Sequence, residues 1–482
     1  MDAKNNFGRL RAILLIALAI CLGLYYLPDE VGGFRIKKVD FLSDLRVKPD
    51  ALSLDSLRKQ LDEVDSLQVD SAAIRDSLMM AKGIDSTGLA MRDSLYALLA
   101  SDSKADSAGT CIEDFSPGHT GLKRFYAALN KINTLNRPVR VAFLGDSFIE
   151  GDIVVADFRS QLQSRFGGEG IGFVPVTSEV AKFRPTIEQK ANGWKTWSKL
   201  TDHSHAYTLP CLLFEPVEEG ATVSFKTVKR YSGLAKASQL KFIYTKNQAT
   251  VMSLVVNGGA DTIRETLPPA ETVMQYQMNG SFTSGSFTFT HTEGFQAMGF
   301  VLEDNRGVVV DNFSLRGNSG AILGSLDVKA SHDFAKVRPY DLIILQYGLN
   351  VVNEETLSYN WYRQKMLKVI QHVQECFPNA DILLLGVSDR SWQADGEFKT
   401  MPAVLSLLHA QRQLAKQSGV PFWNVFGAMG GENSMVHYVN NNWASKDYTH
   451  LSFRGGREIA NKLVKAILHE KEIIDEMEKT TD

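Results

Sequence analysis

The sequence predicts an α/β protein: a three-layer α/β/α domain with a parallel sheet, interrupted by an all-β sandwich and preceded by a membrane-anchor helix. Three observations carry this reading. In the second half of the chain, short continuous apolar runs alternate with amphipathic helical stretches, which is the pattern of a parallel sheet covered on both faces. Between 177 and 305 the pattern changes to period-two alternation divided by Gly, Asn and Ser, the mark of antiparallel strands. Near the N-terminus, Ala12 through Leu27 forms an uncharged apolar stretch.

The elements follow in order. Lys4, Arg9 and Arg11 precede the apolar stretch, and Asp29 and Glu30 follow it. Positive charge on the N-terminal side predicts an N-in, single-pass orientation in the cytoplasmic membrane, with everything after it extracytoplasmic. A cleaved signal peptide is the competing reading for 1–30, but no small-x-small site follows the apolar core. The anchor is therefore favoured. Residues 31–115 repeat Asp-Ser-Leu at 55–57, 65–67, 76–78 and 93–95. The spacing is too irregular for a solenoid, so this segment reads as an Asp/Ser-rich spacer.

The catalytic domain is expected over 116–176 and 306–475. Its first strand, Val139 to Leu144, runs into Gly145-Asp146-Ser147, followed by a helical stripe of Val154, Phe158 and Leu162 that ends at Gly167–Gly170. Further strands are read at 341–347, 381–386 and 421–426, with helices near 355–375, 400–417 and 453–469. In the insert, 177–305, strands are read at 222–228, 239–244, 251–256 and 286–290.

Composition excludes some classes. Net charge is −3 over 482 residues, so no global field points to nucleic acid. Cys111, Cys211 and Cys376 lie outside the apolar stretch that holds Cys21, which permits at most one intramolecular disulfide among them.

A serine at the carboxyl end of a parallel strand stands where open α/β sheets place ligands. Its hydroxyl needs a base and an orienting carboxylate. Asp447-Tyr448-Thr449-His450 supplies both, three residues apart. An acyl-transfer site also needs oxyanion donors. The Ser147 backbone N–H, the Asn350 amide in Tyr347-Gly348-Leu349-Asn350, and a glycine N–H in Arg316-Gly317-Asn318-Ser319-Gly320-Ala321 are candidates. Glu150 and Asp152 read as starting the helix after the serine rather than binding substrate. Trp194 and Trp197 invite a sugar-stacking reading, but a three-residue step puts them on opposite faces of a strand and favours packing. His203 and His205 read as loop residues, since no nearby ligand completes a metal set.

This ordered set resembles the SGNH (GDSL-type) hydrolases, whose flavodoxin-like domain carries serine, glycine, asparagine and histidine in four blocks. The resemblance implies Ser147 as nucleophile, His450 as base, Asp447 as orienter, and Ser147, Gly320 and Asn350 as the oxyanion hole. Gly320 is preferred over Gly317 because family glycines stand in a Ser-Gly or Asn-Gly step that opens a helix. The family often has Gly-x-Asn-Asp, whereas Val351 follows Asn350 here. More narrowly, Gly151-Asp152, Arg165-Phe166-Gly167 and Gly170 to Pro175, followed by a β insert, resemble the bacterial peptidoglycan O-acetylesterases. That implies an O-acetylated glycan as substrate, a carbohydrate-binding-like role for the insert, and no metal or cofactor. A glycan O-acetyltransferase served by a membrane-bound acyl-donor partner, and a non-catalytic glycan-binding protein, stay open as alternatives.

Overall fold

Why a serine and a histidine 303 positions apart can meet follows from how the strands order themselves. The computed structural model describes residues 111–481 except 232, 355 and 395, together with Glu30–Val31, Phe34–Arg35, Asp93 and Tyr96. All of the expected anchor at 1–30 except Glu30, and nearly all of the spacer, lie outside the described residues. Two compact units are present, Met1–Ala51 and Leu52–Asp482. In the first, Glu30–Val31 and Phe34–Arg35 form a small antiparallel hairpin. Among the described residues, no helix is long and apolar enough to cross a membrane.

The second unit contains β1 (Ile112–Asp114), α1 (Lys123–Asn130), β2 (Val139–Gly145), α2 (Val155–Phe166) and β3 (Gly172–Pro175). Eight strands follow: β4 (Ile187–Asn192), β5 (Trp194–Ser198), β6 (Leu212–Pro216), β7 (Ala221–Thr227), β8 (Ala237–Lys246), β9 (Val251–Val256), β10 (Ile263–Thr266) and β11 (Met274–Phe282). Next come β12 (Ser284–Thr290), β13 (Gln296–Glu303), β14 (Val308–Ser314), α3 (Val328–Val337), β15 (Leu342–Gln346), α4 (Asn360–Cys376) and β16 (Asp381–Leu385). The chain ends with β17 (Ser391–Ala394), β18 (Glu397–Thr400), α5 (Pro402–Ser418), β19 (Pro421–Trp423), α6 (Val425–Met429), α7 (Ser434–Asn440) and α8 (Phe453–Thr481).

The central sheet has the order β14-β2-β15-β16-β19-β1, parallel except for the antiparallel edge strand β1. Every residue of β2, β15 and β16 is buried, as strands covered on both faces must be. α2 packs against α8 and β14, and α1 against β2 and β16, while α3, α4 and α5 pack in series. The expected strand at 421–426 is shorter, because Asn424 caps a new helix by accepting from the Gly427 N–H. The expected helix at 453–469 continues to Thr481. Its apolar stripe persists through Ile473, Ile474 and Met477, all buried. β1 extends the globular body back into the segment assigned to the spacer.

Two antiparallel sheets, β11-β8-β13-β6-β5 and β10-β9-β12-β7-β4, make the insert. Their inner faces share one aromatic core, in which Phe225 lies 5.1 Å from Phe300 and Phe242 lies 4.8 Å from Phe289 between ring centroids. β3 pairs with β13, so the insert's sheet begins ahead of residue 177. Trp194 and Trp197 point to opposite faces of β5 as their spacing requires. Trp194 joins the insert's core beside Phe289, and Trp197 faces His205.

The two halves of this unit meet over buried charges. Glu303 accepts from Arg140 Nη2 at 2.8 Å, Lys241 Nζ at 2.6 Å and Arg338 Nη1 at 2.9 Å. Arg338 also holds Asp311, which accepts from the Tyr340 hydroxyl at 2.6 Å and the Phe173 N–H at 2.8 Å. Burial pushes the Glu303 carboxyl up, but the charges of Arg140, Arg338 and Lys241 outweigh it and hold the group well below the usual carboxylate range. Glu303→Gln leaves those cations short of one negative charge. We expect a loss of about 3–5 kcal/mol in urea unfolding.

A second buried carboxyl behaves in the opposite sense. Glu470 on α8 accepts from the Tyr96 hydroxyl at 2.9 Å. Burial, with Asp114 nearby, pushes it up to about 8. The folded state thus holds this proton to higher pH than the unfolded chain does. The stability linked to this site is full below about pH 4.3 and is lost as pH rises toward 8. Glu470→Gln should flatten this part of the stability–pH curve and raise the urea midpoint at pH 8 above that of the wild type.

Candidate active site

Each loop of the site starts from the carboxyl edge of the parallel sheet. Ser314, Gly145 and Gln346 end β14, β2 and β15 side by side in register. Gly145 is required there, because a Cβ would sit 2.9 Å from the Gln346 carbonyl oxygen and 2.9 Å from the Ile149 side chain. The chain then turns sharply. Asp146 Oδ1 accepts the Phe148 N–H at 2.9 Å, which fixes the turn that carries Ser147.

Ser147 Oγ stands 3.1 Å from His450 Nε2, and His450 Nδ1 stands 2.8 Å from Asp447 Oδ2. These distances suit a nucleophile, base and orienter in sequence. Asp447 Oδ1 also accepts the N–H groups of Thr449 at 2.9 Å and His450 at 3.0 Å, and the Ser445 hydroxyl at 2.5 Å. Partial burial pushes the Asp447 carboxyl up, but the bonds from His450, Ser445 and Thr449 prevail and hold it well below the usual range. It is therefore a carboxylate at any working pH. Gly456 lets α8 approach this region, since a Cβ there would lie 1.9 Å from the Ile153 carbonyl oxygen.

The oxyanion side differs from expectation in two places. Gly320 has φ +92° and its N–H donates to Asn318 Oδ1 at 2.8 Å, so that donor is committed inside its own loop. A Cβ at 320 would meet the Tyr347 ring at 2.9 Å and Met366 at 3.0 Å, so this position serves a close approach to α4. Gly317, the other glycine of that loop, is buried at φ +76°. Its N–H and that of Ser147 have no acceptor among the described residues. The second difference concerns Asn350. Its amide donates to Asp146 Oδ2 at 2.9 Å and to the Asn318 carbonyl at 3.0 Å, so both protons are engaged.

In the sequence, Asp146 stands out only as the middle residue of Gly145-Asp146-Ser147. It is fully buried and ties the serine turn to Asn350, and the residue between Gly145 and Ser147 was the available signal. Glu150 and Asp152 stand in a one-turn 3-10 helix, Glu150–Asp152, that leads into α2, so they do open the helical stretch after the serine, and each also has an ionic partner. α2 has no side-chain cap. Glu150 pairs with Arg316, while Asp152, fully buried, accepts from Arg184 Nε at 2.9 Å, Asn312 Nδ2 at 2.8 Å and Thr186 Oγ1 at 2.5 Å. Burial pushes the Asp152 carboxyl up, yet Arg159 and Arg184 hold it well below the usual range. His205, read as lacking nearby ligands, has Asp202 at 2.7 Å and Glu215 at 3.6 Å. Asp202 is a hydrogen-bonding partner of His205 within the insert, and Glu215 lies only at ion-pair distance. No cluster of three His, Cys, Asp or Glu suited to a metal occurs among the described residues. Cys111, Cys211 and Cys376 are free thiols.

Asn350→Ala removes both the Asp146 link and the Asn318 link. In an aryl acetate assay we expect kcat to fall by about 10²-fold or more with KM nearly unchanged, as for loss of a group that acts on the transition state.

No protein-family model matches the sequence, and no curated protein matches it. Among solved structures, a peptidoglycan O-acetylesterase aligns over 75% of this chain and 99% of its own, with a TM-score of 0.61 and 21% identity. An acetyl xylan esterase aligns over 33% of this chain and 81% of its own at TM-score 0.26 and 18% identity. A family two carbohydrate esterase from Cellvibrio japonicus aligns over 60% and 99% at TM-score 0.25 and 9% identity. Over three quarters of its length, the chain shares the fold of that peptidoglycan O-acetylesterase.

Proposed function

We propose that this protein is a serine esterase that removes O-acetyl groups from an extracytoplasmic glycan, with peptidoglycan the favoured substrate. The observation that carries the reading is the unbroken path from Ser147 Oγ through the His450 ring to the Asp447 carboxylate, at 3.1 and 2.8 Å. The shared fold with a peptidoglycan O-acetylesterase supports the substrate class. The uncharged stretch from Ala12 to Leu27 supports a single-pass, N-in anchor in the cytoplasmic membrane with the catalytic body outside.

In this mechanism His450 Nε2 takes the Ser147 proton as Oγ bonds to the acetyl carbonyl carbon. The oxyanion is met by the free N–H groups of Ser147 and Gly317, and by Asn350 once its amide turns from the Asn318 carbonyl. Collapse breaks the bond to the sugar oxygen, which receives the proton from His450. Water then attacks the acetyl-serine, gives its proton to His450, and acetate departs as Ser147 recovers its own. A sugar hydroxyl in place of water would make the same intermediate an acetyl transfer.

Ser147→Ala and His450→Ala should each lower kcat on 4-nitrophenyl acetate by at least about 10³-fold while keeping the wild-type circular dichroism spectrum. A fluorophosphonate should label the wild type at Ser147 and leave Ser147→Ala unlabelled. Acetate should be released faster from O-acetylated peptidoglycan than from acetylated xylan. Faster release from xylan would move the substrate class, and an unimpaired Ser147→Ala would remove the mechanism.

A further inference from the structure

A cleft of about 430 Å³ opens beside the serine loop, with Glu150 and Arg316 on its hydrolase side and Thr196 and Ser198 of β5 on the insert's side. Ser147 and His450 are not part of its lining. The volume falls within the range of small-molecule sites, roughly 300–1,000 Å³.

Two polar atoms of this cleft's lining residues lack partners. The Arg184 side chain is 6% exposed, and its Nη2 has no hydrogen-bond acceptor. Asn312 is 9% exposed, and its Oδ1 has no donor. The remaining groups of both residues are fixed. Arg184 Nε bonds to Asp152 Oδ2 at 2.9 Å, and Asn312 Nδ2 bonds to Asp152 Oδ1 at 2.8 Å and to the Ile149 carbonyl at 2.9 Å. One carboxylate thus holds the two side chains, one on each oxygen. Buried polar groups without partners are costly, and native structures keep few of them without a reason. Here one is a donor and the other an acceptor. Phe173 and Phe313, with ring centroids 5.5 Å apart, add an apolar wall to the same cleft.

We propose that this cleft is a subsite for a secondary amide carried by the glycan, with the amide carbonyl accepting from Arg184 Nη2, the amide N–H donating to Asn312 Oδ1, and the amide's methyl or methylene against the phenyl rings. A carboxylate would satisfy the arginine but meet the Asn312 oxygen and Glu150 with repulsion. A lone hydroxyl has the donor and acceptor on a single oxygen and no apolar body for the wall. Two sources of such an amide exist on a peptidoglycan-like polymer, the 2-acetamido group of a sugar and a peptide substituent. The proposal rests on Ser147 acting as an ester-cleaving centre beside the cleft, and it deepens that reading by naming what the substrate must carry.

The test uses the full chain and three acetyl esters: the methyl 6-O-acetyl glycosides of N-acetylglucosamine and of glucose, and 4-nitrophenyl acetate. In the wild type, kcat/KM for the acetamido sugar should exceed that for the glucose ester by about tenfold or more, because a site built to bond a polar group rejects the analogue lacking it. Arg184→Lys, which keeps a cation beside Asp152, and Thr201→Trp, which fills the rim from an exposed turn, should each bring this ratio close to one. A wild-type ratio near one, or a ratio unchanged in both variants, overturns the proposal. If the wild type cleaves none of the three esters, the esterase reading fails by itself, and calorimetric binding then decides the subsite. A chitin tetramer bound in preference to cellotetraose places the amide on the sugar. Binding of N-acetyl-alanine methylamide alone places it on a peptide, and binding of neither amide overturns the proposal.

Discussion

The site depends on three parallel strands that end at the same level. β14, β2 and β15 pair in register up to Ser314, Gly145 and Gln346, so the loops bearing Gly317, Ser147 and Asn350 leave the sheet as neighbours. The Leu315 N–H donating to the Gly145 carbonyl at 2.9 Å carries this alignment one residue beyond the strands. Slipping β2 by one residue would turn each of its side chains to the opposite face. Phe143, Leu144 and their neighbours are fully buried on a sheet with no solvent face, so that slip is strongly opposed. The position of Ser147 is thus set by the packing of a strand rather than by contacts of the serine.

The insert is tied to the same strands. Arg140 of β2 and Asp311 of β14 belong to the charge network that Glu303 of β13 and Lys241 of β8 complete from the insert. Such a network adds little net stability over an apolar plug of equal volume, but any displacement leaves a buried charge unpaired. It therefore acts on geometry more than on total free energy. β3 reinforces this, pairing with β13 while its Phe173 N–H donates to Asp311. The cleft next to the serine has one wall from each half, and the network keeps those walls at a fixed spacing.

Much of this was readable in the residues, and the reasons differ by element. The strands at 342–346 and 381–385 announce themselves as short apolar runs, and the helix from Val155 by its four-residue stripe. Ser147, His450 and Asp447 were placed together because acyl transfer needs those three groups and the chain offers them at a strand end and in a short turn. The exposed outer strands were harder. β4, with its alternating burial of Ile187, Gln189 and polar neighbours, and β11, whose residues are mostly half-buried or exposed, carry too little apolar signal. The glycine assignment turned on a hydrogen bond that no pattern encodes. Asn318 sits two residues before Gly320 and takes its N–H, while Gly317 is left open. Likewise, the sequence reveals an arginine at 184 but not that its guanidinium is buried on Asp152.

The two sides of the candidate site stand at different stages of readiness. On the base side, Tyr448 is held at φ +55°, a conformation that costs free energy for a bulky residue, and its ring stacks on Phe398 with centroids 3.7 Å apart. The Ser391 N–H donates to the Tyr448 carbonyl at 3.1 Å, and the Ser445 N–H to that of His450 at 2.8 Å. Strain of this kind persists only where its surroundings over-determine it, and here the result is an imidazole already aimed at Ser147 Oγ. On the acceptor side, two backbone donors are free but the Asn350 amide is spent on the Asn318 carbonyl. Turning that amide toward an oxyanion exchanges a neutral acceptor for a charged one. Charge-assisted bonds are roughly twice as strong as neutral ones, so the exchange is favourable only once negative charge develops. In the proposed esterase mechanism, an amide that changes partner in this way would stabilise the transition state more than the bound ester, which is the condition for raising kcat rather than only tightening binding.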